Sequence, residues 1–154
     1  MANHELSKLE ALDKAQAYCA RAEHCAADVR RKLYEWGVSG QIKDFSPENG
    51  LDFFDFIEKK LYDDDFLNDA RFCRAYVHDK VEYQSWGRIK IQAGLRALQL
   101  PEKEIREALA DIDEKRYEAN LRSLVAQRKS ESEEKRLRFL LQRGFTYEEI
   151  KKCT

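Results

Sequence analysis

The chain has 154 residues, with 28 Lys and Arg against 29 Asp and Glu for a formal net charge of -1; it is 37% charged and 43% hydrophobic. Six glycines and two prolines are too few turn signals for a β fold, and no apolar run approaches the roughly 20 residues of a membrane span. The four cysteines, at 19, 25, 73 and 153, form no CxxC pair and no signal peptide opens the chain, so they read as free thiols in a reducing cytosol, not as a disulfide framework or a zinc site.

Taken in order, residues 6–21 read as a first helix, with Leu9, Leu12, Gln16 and Cys19 down one side. His24 and Cys25 break it. A second helix over 26–36 turns Val29, Leu33 and Trp36 inward and Arg30, Arg31 and Lys32 outward, and Gly37 ends it in the left-handed conformation. After a loop over 38–45, Ser46-Pro47 signals the start of a third helix that runs to about Leu61, with Phe53, Phe54, Ile57 and Leu61 as its apolar side. Asp63-Asp64-Asp65 reads as a solvated turn. Consecutive carboxylates point in different directions, which argues against a metal-dependent nuclease.

The stretch 68–100 reads as two amphipathic helices around the turn Gln84-Ser85-Trp86-Gly87. Phe72, Ala75, Tyr76 and Asp79 share helical spacing, flanked by Cys73 and Val77. Ser85 is placed to cap the next helix, in which Ile91, Leu95 and Leu98 repeat. Pro101 then opens a helix with Ile105 and Leu109 inward. A longer one follows over 111–129, carrying Tyr117, Leu121, Leu124 and Val125. Ser130 with Glu133, and Thr146 with Glu149, fit capping boxes that start the last two helices.

A repeat lies inside this pattern. KLYEWGV at 32–38, GLRALQL at 94–100 and FLLQRGF at 139–145 align, so that Leu33, Leu95 and Leu140 coincide, as do Val38, Leu100 and Phe145. Ile105 and Ile150 follow at equal distance, where the first copy holds Lys43 and carries an insertion. The sequence therefore predicts an all-α fold of three tandem three-helix, helix-turn-helix-like repeats: 1–66 with an N-terminal extension, 67–111 and 112–154. Repeats that contact mainly their neighbours predict an elongated, curved, monomeric body.

Charge is unevenly spread. Residues 46–69 hold eight acids and two bases; 68–100 hold six bases and three acids, and 115–143 nine bases and four acids. The basic segments suit a polyanion or an acidic protein. The candidate contact residues are Arg30, Arg31 and Lys32 in the first repeat, Arg71, Arg74, Lys80, Arg88, Lys90 and Arg96 in the second, and Arg136, Arg138 and Arg143 in the third. The plain alternative is a solvated helix face. Trp86 and Tyr83 beside the basic run can stack on bases or anchor an interface; for Trp86 the plain alternative is packing at a helix turn. His4, His24 and His78 stand alone. No nucleophile, metal cage or phosphate loop is legible, so neither a catalytic residue nor a cofactor is assigned.

Arg71-Phe72 with Ala75-Tyr76-Val77, Trp86 to Ile91, and Leu95 with Leu100-Pro101 resemble the central signature of the RecX family of regulatory proteins. Cys19-Ala20-Arg21, Glu23-His24-Cys25 and Val29 to Leu33 resemble that family's first repeat; Arg143-Gly144-Phe145 with Ile150 resembles its third. The resemblance runs from about Leu12 to Lys151. It departs at Cys25, where Ser or Thr is expected, and at Asp65 and Gln99, where glycine is. It implies a cytoplasmic, non-enzymatic protein that binds the RecA filament and acts as a negative modulator, limiting filament growth, ATP hydrolysis and strand exchange and so damping SOS induction. DNA, single- or double-stranded, is a further partner that the family implies. The rival reading is a helical DNA-binding protein with no recombinase partner.

Overall fold

The computed structural model describes residues 6–38, 42, 44–47 and 50–154. These hold nine helices and no strand: α1 (Lys8–Arg21), α2 (Ala26–Glu35), α3 (Phe53–Asp63), α4 (Asp69–Glu82), α5 (Arg88–Ala97), α6 (Glu102–Ala110), α7 (Glu114–Gln127), α8 (Glu133–Gln142) and α9 (Tyr147–Lys152). The all-α expectation holds. His4 and Lys43 lie outside the described residues. Two compact units divide the chain, Met1–Phe72 and Cys73–Thr154.

In the first unit, α1 starts at the side chain of Ser7, which accepts from the Glu10 N–H at 3.2 Å. Its inward face is Ala11, Ala15 and Cys19; of the expected line Cys19 is buried and Leu12 partly so, while Leu9 is 68% exposed. Two small side chains a turn apart let α1 pack closely, and hydropathy alone chose the larger leucine. Helix α2 buries Val29 and Leu33; Trp36 is half-buried. The third helix begins at Phe53, later than Ser46-Pro47 suggested. Asp52 and Asp55 cap it reciprocally: Asp55 N–H donates to Asp52 Oδ1 at 2.9 Å and Asp52 N–H to Asp55 Oδ2 at 3.1 Å. Phe53, Ile57 and Leu61 complete the core with Leu67.

In the second unit, Val77 and Val81 of α4, Ile91 and Leu95 of α5, Ile105 of α6, Tyr117 and Leu121 of α7, Leu140 of α8 and Ile150 of α9 are buried. Helix α7 is shorter than the expected 111–129, because the Asp113 carboxylate accepts from the Lys115 and Arg116 N–H groups at 3.0 and 3.3 Å. Helix α8 is capped by Ser132, which accepts from Lys135 N–H at 3.2 Å, and not by Ser130. The Thr146–Glu149 box is present as expected. Buried Asn120 donates through Nδ2 to the Val81 carbonyl at 2.8 Å. Removing its amide in Asn120→Ala orphans that carbonyl and should cost about 1–3 kcal/mol in chemical denaturation; a loss under half a kcal/mol, roughly that of a surface change, would show the bond to be idle.

Four helices end the same way. Val38 N–H returns to Leu33 O, Phe66 to Leu61, Leu100 to Leu95 and Phe145 to Leu140, at 2.9, 2.8, 3.2 and 3.2 Å. The residue before each returning amide has positive φ: Gly37 +84°, Asp65 +62°, Gln99 +63° and Gly144 +97°. This is the Schellman closure, and it explains the repeat. The two coincident apolar positions are the residues whose carbonyl and amide meet at the helix end, and both are buried in all three copies. Gln99 pays a side-chain penalty in that left-handed turn. Gln99→Gly should therefore stabilise by about 0.5–1 kcal/mol, read as a raised Tm, whereas no gain would mean that the Gln99 side chain offsets its own strain. Asp65 repays its strain locally, because its carbonyl and carboxylate accept from Arg71 at 3.0 and 3.2 Å.

Candidate polyanion-binding surface

The turn between α4 and α5 is held from several sides within the second unit. Ser85, expected as a cap, instead takes φ +51°. Trp86 N–H returns to Lys80 O at 3.0 Å. Gly87 is the N-cap of α5, and it has no side chain to offer the first amides. Those amides are satisfied from far along the chain. Gly87 N–H donates to Arg143 O at 2.8 Å and Ile89 N–H to Gly144 O at 3.1 Å. Arg88 N–H donates to the Tyr117 hydroxyl at 3.0 Å. The carbonyl end of α8 thus meets the amide end of α5, a favourable dipole pairing. Burial pushes the Tyr117 hydroxyl pKa up, so it stays neutral.

This frame fixes Trp86. Its half-buried indole carries two ammonium groups, Lys80 Nζ at 4.5 Å and Lys90 Nζ at 4.3 Å from the ring centroid. Lys80 is also 5.2 Å from the Tyr76 ring, whose hydroxyl pKa burial raises. Tyr83 stands 76% exposed next to the turn. Neither lysine meets a carboxylate among the described residues, so two like charges share one ring with π contacts as their compensation. Such a contact is worth about 0.5–1 kcal/mol at an exposed site, which leaves both charges available to an anion.

The other basic candidates divide sharply. Arg30 binds Asp55 at 2.8 Å and Glu58 at 3.1 Å. Arg31 meets Asp28 and Glu35, and Lys32 meets Glu35 at 3.2 Å. Arg71 is committed to Glu23 and Asp65. Arg88 lies 4.2 Å over the Tyr117 ring and pairs with Glu114 and Glu149. Arg96 forks onto Glu102, holding that carboxyl below its usual range, and Arg138 reaches Glu134 at 3.5 Å. Arg143 donates to the Gln84 carbonyl. Arg74, Lys80, Lys90, Arg136 and Arg143 have no ion pair among the described residues. Arg74 rims a cleft of about 250 Å³ floored by Val77, Val81 and Ile112. Arg136 rims another with Tyr147 and Lys151. Most sequence candidates therefore hold the fold, while Lys80 and Lys90 with Trp86 form the concentrated group.

Sequence reading did not find the Gly87–Gly144 approach, the Tyr117 cap or the Asn120 bond. Each joins residues far apart in the chain, and only Gly144 left a local sign, as a helix-ending glycine. His78 is exposed. Among the described residues, no group of three His, Cys, Asp or Glu could hold a metal ion, and no helix is long and apolar enough to cross a membrane.

These features define an all-helical protein with a cationic, aromatic surface. Residues 68–109 match the family model of the second three-helix domain of RecX. Over those residues the chain is similar to that domain of the RecX family. Its fold is that of two solved structures. Regulatory protein RecX is 22% identical, with 99% of this chain and 81% of that one covered and a TM-score of 0.67. RecX from Lactobacillus salivarius is 19% identical, with 95% and 93% covered and a TM-score of 0.70. No curated protein sequence matches the chain.

Proposed function

We propose that the chain regulates the RecA recombinase in the cytoplasm by binding its filament, and that it does so negatively, limiting filament growth, ATP hydrolysis and strand exchange and so damping SOS induction. The observation that carries this reading is the Lys80–Trp86–Lys90 group, set on the matched domain with no carboxylate paired to either lysine among the described residues. A nucleoprotein filament is a polyanion with acidic protein surfaces, and such a group meets either one. The action is binding, not turnover: several weak contacts on one chain add, and the bound filament is biased toward a state that does not extend.

Fluorescence anisotropy of a labelled single strand tests this, bare and coated with recombinase. The proposal predicts modest affinity for bare DNA and much tighter binding to the coated filament. Tight bare-DNA binding with a steep salt slope and no gain from the recombinase would instead support a DNA-binding protein without that partner.

A further inference from the structure

The first unit holds a second cationic, aromatic site that the recombinase reading does not use. A groove of about 460 Å³ lies along α1 and α2, lined by Lys14, Tyr18, Arg21, His24, Lys32 and Trp36. Three rings are grouped there: Tyr18 stacks on His24 with centroids 3.7 Å apart, and Trp36 stands edge-on to Tyr18 at 6.2 Å. Lys14 Nζ lies 4.8 Å from the Trp36 ring and Lys32 Nζ 5.7 Å from that of Tyr18.

The charge on this groove is only partly cancelled, because Lys32 pairs with Glu35. Lys14 and Arg21 meet no carboxylate among the described residues. The nearby acids are already shared, Asp28 between His24 and Arg31, and Glu35 between Arg31 and Lys32. Lys14 rests on an indole face, a contact that an anion can replace while the ring is released. A carboxylate peptide would use the cations and leave the rings idle. A nucleotide uses both, with its base on an aromatic face and its phosphate among the ammonium and guanidinium groups.

We propose that the groove formed by Lys14, Tyr18, Arg21, Lys32 and Trp36 is a nucleotide-binding site. Free nucleotide and one unit of a single strand share this chemistry. The proposal does not rest on the recombinase reading or on the Lys80–Trp86–Lys90 group.

The test uses Trp36 fluorescence in the full-length Trp86→Phe protein, its fold checked by circular dichroism, titrated in parallel with ADP, a short oligothymidylate and oligoglutamate and corrected against free tryptophan. Saturable quenching by ADP assigns free nucleotide; quenching by the oligothymidylate alone assigns a strand. In either case Lys14→Glu with Arg21→Glu should raise the Kd at least tenfold at unchanged helicity, and the milder pair Lys14→Gln with Arg21→Gln should raise it in the same direction. Quenching by neither nucleotide, quenching by oligoglutamate in their place, or nucleotide binding that survives both pairs overturns the proposal.

Discussion

Gly87→Ala should destabilise the second unit by roughly 3 kcal/mol, enough to show as a large fall in the denaturation midpoint. A Cβ on Gly87 would lie 2.2 Å from the Gly144 carbonyl carbon and 2.4 Å from Phe145 N. These are backbone atoms, so no side chain can turn aside. Opening the contact also strains the Gly87–Arg143 and Ile89–Gly144 hydrogen bonds that finish α5. Gly144 is hemmed in from the other side, where a Cβ would meet Lys90 Cβ at 2.5 Å and Lys90 N at 2.6 Å. Gly37→Ala is the control: its left-handed turn is strained by any side chain, but nothing lies within 4 Å of the added carbon, so it should cost only about 1–2 kcal/mol. Equal losses at 87 and 37 would mean that the close approach is not what Gly87 supplies.

Reversing Lys80 and Lys90 together to glutamate should weaken filament binding at least tenfold, about 1.4 kcal/mol or more, with helical content unchanged. Both side chains give up only a π contact, so the fold loses little. Arg71→Glu with Arg88→Glu should behave differently, because it breaks pairs with Glu23, Asp65, Glu114 and Glu149 and places carboxylates side by side. That pair should lower Tm before it changes binding. Binding that is intact in the Lys80/Lys90 variant, in a protein of normal helicity, would move the contact surface elsewhere, with Arg74 and Arg136 as the remaining cations to reverse.

Helix content and the repeat were legible in the sequence because each has a local cause. Leu33, Leu95 and Leu140 sit five residues before Val38, Leu100 and Phe145, the spacing that one helix-ending closure requires. Thr146 and Glu149 read directly as a capping box because both partners lie within one turn. Failures came where the partner is distant or where local signals compete. Ser85 looked like a cap, but Gly144 and Tyr117 already satisfied the amides of α5. Ser130 and Ser132 are equally good caps by type, and only the chain path selects the second. Pro47 is a sound start signal that the Asp52–Asp55 box overrides by several residues. Leu9 is more apolar than Ala11 or Ala15, yet size and not hydropathy decides which face can approach its neighbours.

The candidate surface was legible as a list of cations and not as a site. Arg71 and Lys80 look alike in one dimension. The difference is that Glu23, 48 residues away, reaches Arg71, while no described carboxylate reaches Lys80. In the sequence Trp86 reads as a stacking ring, an interface anchor or packing at a helix turn. It is half-buried and serves as the platform on which two lysines rest, a role set by Lys90 on the next helix.

Single-strand-dependent ATP hydrolysis by the cognate RecA, with this protein titrated in from far below stoichiometric amounts, tests the central claim most directly. A protein that stops filament extension should inhibit at low ratios, and the Lys80/Lys90 reversal should relieve that inhibition. Undiminished hydrolysis at saturating protein, with binding to bare DNA intact, would contradict the account and leave the RecX fold in the service of DNA binding alone.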